Sequence, residues 1–298
     1  MLYRDVIFEI TLEKPLCGVD FLGPTLRGLF GYALRDAACG HPSNADGYCT
    51  EPWDCPYSQI FEGQKDLPQP FVLLVDPPKA NAKRKKIQFG VRLFGSSMTH
   101  APIVVRAFEI GESFGIGAER IKYRIAQANV SEPKQTRTIS TLDPSKTISL
   151  EWKIRTPLSL RDEHDLRTEP SADALVSAGR RRVWLMRTVS GMQNDLPMPT
   201  APPHGTFRIV KQQIHEWRIF RNSGRQERTV PLRGIDGRMI IDGPWSDESW
   251  WLGDALSTHI GKHTSFGLGF ATWEQLPAQG RWLRLPRWIR LRGFPPTP

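Results

Sequence analysis

Apolar and polar positions alternate along Val6-Ile-Phe-Glu-Ile-Thr-Leu12, the period of a half-buried β-strand. The period then lengthens. After Gly23-Pro24, Leu26, Leu29, Phe30, Ala33, Leu34 and Ala37 recur at helical spacing and predict a helix. Residues 39–68 hold Cys, Pro, Gly and Asp without periodicity and read as a long loop. Apolar runs at Phe71–Val75 and Ile87–Phe94 predict two strands, with the basic run Lys83-Arg-Lys-Lys86 in the turn between them. A helix over Ala101–Ser113, the turn Phe114-Gly-Ile-Gly117 and a strand within Ile121–Val130 complete a β-α-β-β-α-β order, the ferredoxin-like arrangement.

The order then repeats. Glu132–Lys146, rich in Thr, Ser and Pro, reads as a linker. Beyond it come a strand (Thr147–Ile154), a helix (Ala172–Met192), two strands (Phe207–Phe220 and Arg238–Asp242), a helix (Asp247–His259) and a strand (Phe270–Trp273). Each half ends in a helix, a glycine-rich turn and a strand. The predicted fold is therefore α+β: two tandem ferredoxin-like domains, of the kind also used by RNA-recognition domains, with a C-terminal glycine-rich loop. The expected divisions are 1–131 with the Cys-bearing loop as an insertion, 146–275, and a basic aromatic tail at 276–298.

Charge narrows the partners. Lys and Arg total 40 against 31 Asp and Glu, for a net charge of +9. Arg outnumbers Lys more than twofold; its planar fork suits phosphate and stacks on bases, so the excess points to nucleic acid. Codon bias accounts for the Arg:Lys ratio equally well, but not for the net charge. No run of about 18 apolar residues is present, so a membrane partner is not expected. The segment Met1-Leu-Tyr-Arg-Asp5 lacks the pattern of a secretory signal. Four Cys in 298 residues do not make a disulfide framework, and the expected compartment is the reducing cytoplasm.

The segment Gly261-Lys-His-Thr-Ser-Phe-Gly-Leu-Gly269 carries the sharpest signal. It is not a phosphate-binding P-loop, because Lys262 precedes the glycine pair, and not a dinucleotide fingerprint, because the helix comes before the glycines. Gly261, Gly267 and Gly269 would let backbone N–H groups approach a ligand, with Lys262, His263, Thr264 and Ser265 adding donors, so the loop could hold RNA backbone. The same residues also suit a helix C-cap and a tight turn into an edge strand.

In its wider setting, Ile260–Gly269 resembles the C-terminal glycine-rich motif of the CRISPR RAMP-superfamily endoribonucleases that process repeat RNA. Trp217-Arg218, Ser223, Arg225-Gln226 and Leu232-Arg-Gly-Ile-Asp-Gly237 resemble the hairpin before that motif in one branch of the family. Gly111 with Phe114-Gly-Ile-Gly117 resembles that branch's first-half turn. Leu26–Arg35, then Cys39, Cys49 and Cys55–Phe61, resemble its first helix and Cys-bearing loop. The resemblance runs through most of the chain. The glycine motif also occurs in RAMP subunits that only bind RNA.

The resemblance implies an endoribonuclease that binds CRISPR repeat RNA, cleaves precursor crRNA without metal through the ribose 2′-OH, leaves a 2′,3′-cyclic phosphate and stays on its product. The alternative is a non-catalytic RAMP subunit holding crRNA among other Cas effector subunits. Family members take a His from the first helix region with Tyr, Lys or Arg helpers. Here that helix holds no His, and His41 lies just past its end, so the resemblance points to His41 as base, with Tyr32, Arg27 and Arg35 as helpers. By its helical spacing Tyr32 sits near the apolar face, and Arg27 and Arg35 sit off it. Lys262 and His263 are alternative catalysts, and His259 at a helix end suits a cationic cap.

Cys39, His41, Cys49 and Cys55 could form a Cys₃His zinc site, although no C-x-x-C pair is present; scattered buried thiols are the other reading, and no other cofactor is expected. Arg180, Arg181, Arg182 and Arg187 lie on one helix that could track RNA or simply face water. Arg208, Lys211, Arg218, Arg221, Arg225 and Arg228 populate the following hairpin, where Trp217 could stack a base. The tail Arg281–Arg292 mixes Arg and Trp and could meet RNA, a neighbouring protein or an anionic membrane surface, the last least expected because Pro286 breaks any long amphipathic helix.

Overall fold

A computed structural model describes residues 1–38, 55–62, 66–136, 148–162, 165–166, 169–192, 197–223 and 228–276. The first half runs β1 (Leu2–Leu16), α1 (Gly23–Ala38), β2 (Phe71–Leu74), β3 (Arg84–Phe94), α2 (Ala101–Phe114), β4 (Tyr123–Val130) and the short β5 (Lys134–Gln135). The second runs β6 (Ile148–Leu158), a small hairpin of β7 (Arg161–Asp162) and β8 (Asp165–Leu166), α3 (Ala172–Val189), β9 (Arg208–Ser223), β10 (Arg228–Gly243), α4 (Ser249–Thr258) and β11 (Ala271–Gln275).

The two sheets share one topology. The first is ordered β2-β3-β1-β4, with β5 pairing the start of β1; the second is ordered β11-β6-β10-β9. In each half the last strand sits beside the first, and the first beside the third, all antiparallel. These are two ferredoxin-like units in tandem, as the repeated pattern predicts.

Alternation along β1 does what the pattern requires: Val6, Phe8, Ile10 and Leu12 are buried on one face. They meet Leu26, Phe30 and Leu34 of α1 and Phe108 of α2 in one cluster, where the Phe30 and Phe108 rings stack at 5.5 Å. The second core is built on tryptophan, with Trp152, Trp245 and Trp251 all buried. The halves are not separate in their packing. Phe266 and Leu268 of the glycine-rich segment, with Ile219 and Leu232 of the β9–β10 hairpin, join the first half's core.

Several bounds differ from the sequence pattern. β10 begins ten residues before the expected Arg238, because Pro231, Gly234 and Gly237 hide its periodicity. Gly234 sits where a Cβ would meet Pro157, and the register slips between Ile235 and Gly237. A 3₁₀ turn over Trp245–Glu248 replaces the first turn of the predicted last helix. Within the expected loop, Ser58–Glu62 forms a π-helical turn that buries Ile60. Among the described residues no helix is long and apolar enough to cross a membrane.

Candidate nucleic-acid cleft

The glycine-rich segment turns sharply after α4. His259, Gly261, His263, Gly267 and Gly269 all have positive φ. Backbone bonds then fasten it to β6 and its exit: Gly269 N–H donates to Pro157 (3.0 Å) and Lys262 N–H to Ser159 (2.9 Å). The Thr156 hydroxyl donates to the Gly267 carbonyl (2.7 Å) and accepts from Phe270 N–H (2.9 Å).

This fastening corrects the expectation for Gly267 and Gly269. A Cβ at Gly269 would lie 1.8 Å from the Ile260 carbonyl oxygen, and one at Gly267 2.5 Å from Val75 Cγ2. At both glycines the side that would carry a Cβ is packed on protein, and their N–H groups are spent on Thr264 and Pro157. Thr264 and Ser265 are buried as well. A Cβ at Gly261 would likewise lie 2.5 Å from the Ser159 carbonyl oxygen. The loop presents Lys262, exposed, and His263, half-buried, to solvent.

Arg27 of α1 reaches this loop. Its guanidinium lies between the Phe61 and Phe266 rings, 4.4 and 4.5 Å from their centroids, and its Nε donates to Ser265 Oγ at 3.2 Å. It thereby joins the first helix, the end of the Cys-bearing loop and the glycine-rich segment. Tyr32 departs from its expected place near the core: its side chain is 67% exposed. Arg35 is half-buried on the same helix. His41, Cys39 and Cys49 lie outside the described residues, and Cys55 is buried. Among the described residues, no three His, Cys, Asp or Glu side chains group as metal ligands.

The arginines of α3 divide. Arg180 makes a paired contact with Glu248, which is fully buried and also accepts from Trp251 Nε1. Arg187 Nε donates to Asp254 at 2.8 Å and its Nη2 to the Trp250 carbonyl at 2.7 Å. Arg182 is buried and donates through Nε (3.2 Å) and Nη2 (3.1 Å) to the Thr258 carbonyl at the end of α4. Three of the four thus hold α4 against α3, which corrects the reading of a uniform surface stripe; Arg181 alone is exposed. The signal that could have revealed this is the acidic residues Glu248, just before the following helix, and Asp254 within it. Arg218 stands exposed on β9 beside Glu216 (3.2 Å), away from these groups.

His259 is not a cationic cap. It is buried, its Nδ1 lies 3.1 Å from the Leu268 carbonyl, and its Nε2 has no partner. Burial, with the charges of Arg92 and Arg182, pushes its pKa down to about 3 against the opposing Leu268 hydrogen bond, so the ring is neutral.

What the fold brings together is a cleft of about 1000 Å³ between the loop, the N-terminal part of α3 and α1. Arg27, Arg181, Arg182, Lys262 and His263 line it, against Asp66 and Asp173. Both Asp173 oxygens are engaged, by the N–H groups of Gly205 (2.7 Å) and Phe207 (2.9 Å). The result is a concave surface with cationic donors from both halves and few carboxylates left to oppose an anion.

A tandem ferredoxin-like protein with a glycine-rich loop wedged between its halves has the fold of solved Cas6 structures. Thermus thermophilus Cas6 superposes with a TM-score of 0.54 at 12% identity, covering 92% of this chain and 98% of that one. A product complex of the same Cas6 gives 0.55 at 14% identity, covering 92% and 99%. No curated protein matches the sequence. The family model AF_1859_N, an N-terminal domain, matches residues 2–151, half of the chain, and the protein belongs to that family.

Proposed function

We propose that the protein binds CRISPR repeat RNA in this cleft and cleaves precursor crRNA as an endoribonuclease. The observation that carries the reading is the convergence of Arg27, Arg181, Lys262 and His263 on one cleft between two ferredoxin-like units. The Cas6 fold, seen in one relative as a product complex, supports it. Cleavage by the substrate's own 2′-OH needs a base, an acid for the leaving 5′-oxygen and cations for the phosphorane charge. In this reading Lys262 and Arg181 supply the last, and His263 is the cleft imidazole that would serve as general acid or base. His41 remains the base expected from the resemblance.

The test is a labelled repeat transcript incubated with pure protein in EDTA. Cleavage to a 2′,3′-cyclic phosphate end is the expected result. Tight binding without cleavage favours the second reading, a subunit that holds crRNA among other Cas proteins. Failure to bind the repeat overturns both.

A further inference from the structure

Arg182 is an unusual cation. It is 7% exposed, and among the described residues no carboxylate pairs with it. Burial pushes its pKa down to about 9, so the guanidinium stays charged at neutral pH without a counter-ion. Its Nε and Nη2 are spent on the Thr258 carbonyl, the negative end of the α4 dipole. The third edge of the fork, Nη1, accounts for the rest. Among the described residues, the buried side-chain nitrogens without a partner are Arg4 Nε, Trp152 Nε1 and His259 Nε2; Arg182 Nη1 is not one of them, and among those residues it makes no hydrogen bond. Arg182 lines the cleft, and Nη1 is the edge of its fork left to face it. A desolvated cation at a cleft wall, fixed from behind and lacking an anion in front, is a half-built oxyanion site. Arg181 and Lys262, both exposed, stand around the same space.

We propose that the cleft is a phosphate site, in which Arg182 Nη1, held by Thr258, takes a phosphodiester oxygen of single-stranded RNA while Arg181 and Lys262 bind around it. This rests on the RNA reading above and adds the atom on which the backbone is registered. Because Arg182 is fixed by two hydrogen bonds before the ligand arrives, little side-chain freedom is lost on binding.

The experiment pairs two readouts on wild type, Arg182→Met and the double variant Arg181→Met with Lys262→Met. The first is melting in inorganic phosphate against chloride at matched ionic strength. The second is affinity for a single-stranded repeat RNA across a salt series. Wild type should melt higher in phosphate, and Arg182→Met should lose that shift. RNA affinity should fall about tenfold or more, the loss of one charge-assisted contact, and the salt slope should flatten by about 0.7 per phosphate contact removed. The double variant should lose both effects in part without the structural role of Arg182, which keeps the inference testable if Arg182→Met does not fold. No phosphate shift in wild type overturns the proposal. A phosphate shift with RNA affinity and slope unchanged in the variants also overturns it, leaving a site for free oxyanion only. Wild type that is protected by phosphate but binds no repeat RNA defeats the function proposed above, and separately so.

Discussion

Gly269→Ala is the substitution on which the reading of the loop turns. The new Cβ would sit 1.8 Å from the Ile260 carbonyl oxygen, and φ at this residue is +75°. An L-residue held there costs about 1–2 kcal/mol. The backbone must also move, which gives up the 2.9 Å bond from Ile260 N–H to the Gly269 carbonyl at about 1 kcal/mol. Residual overpacking adds about 1–3 kcal/mol. The sum, about 3–6 kcal/mol, corresponds to a fall in Tm of about 6 °C or more for a chain of this size. Gly28→Ala is the internal control. It lies on α1 with nothing within 4 Å of its Cβ, so it should stabilise by about 0.5–1 kcal/mol. Thermal melting and urea titration measure both; RNA affinity is then measured on folded protein. Affinity should survive in folded Gly269→Ala. A variant that melts within about 2 °C of wild type while losing RNA affinity tenfold would refute the packing account and return the glycine to an RNA-facing role.

Glu248→Ala should cost about 3–5 kcal/mol in urea unfolding, because it strands the Arg180 guanidinium and the buried Trp251 Nε1 together; a change below about 1 kcal/mol would show that the pair is replaceable. His259 makes stability depend on pH. Its folded pKa near 3 lies below the unfolded value of 6.5, so the unfolded chain binds the proton first. The stabilisation is complete above about pH 6.5 and drains as pH falls towards 3, at about 1.4 kcal/mol per pH unit. His259→Asn should flatten the slope of unfolding free energy between pH 6.5 and 5, before carboxylates titrate; an unchanged slope would place the titration elsewhere.

Much of this protein was legible in its residues. The two-residue alternation at Val6–Leu12 and the helical spacing from Leu26 to Ala37 each bury one face, a local property that a linear pattern records directly. Repetition of that order in the second half, ending in the same helix–glycine–strand run, carried the tandem architecture. The glycine segment marked a loop that the fold fastens between the two halves.

What the linear pattern could not decide is which partner each side chain meets, since those partners are distant in sequence. Arg180, Arg182 and Arg187 look alike on a helix, but Glu248, Thr258 and Asp254 arrive from about 65 to 75 residues away and turn them into fasteners. Tyr32 reads as near-core by spacing and is exposed, because helix α1 buries only the side that meets β1, β2 and α2. The two glycines before β11 suit an RNA contact and a tight turn equally in one dimension. Only the approach of Ile260 and Val75 in three dimensions assigns them to packing. The same folding leaves Arg182 with a carbonyl behind it and a cleft in front: sequence supplied the charge, and burial, set by the packing of α3 on α4, decided what that charge is for.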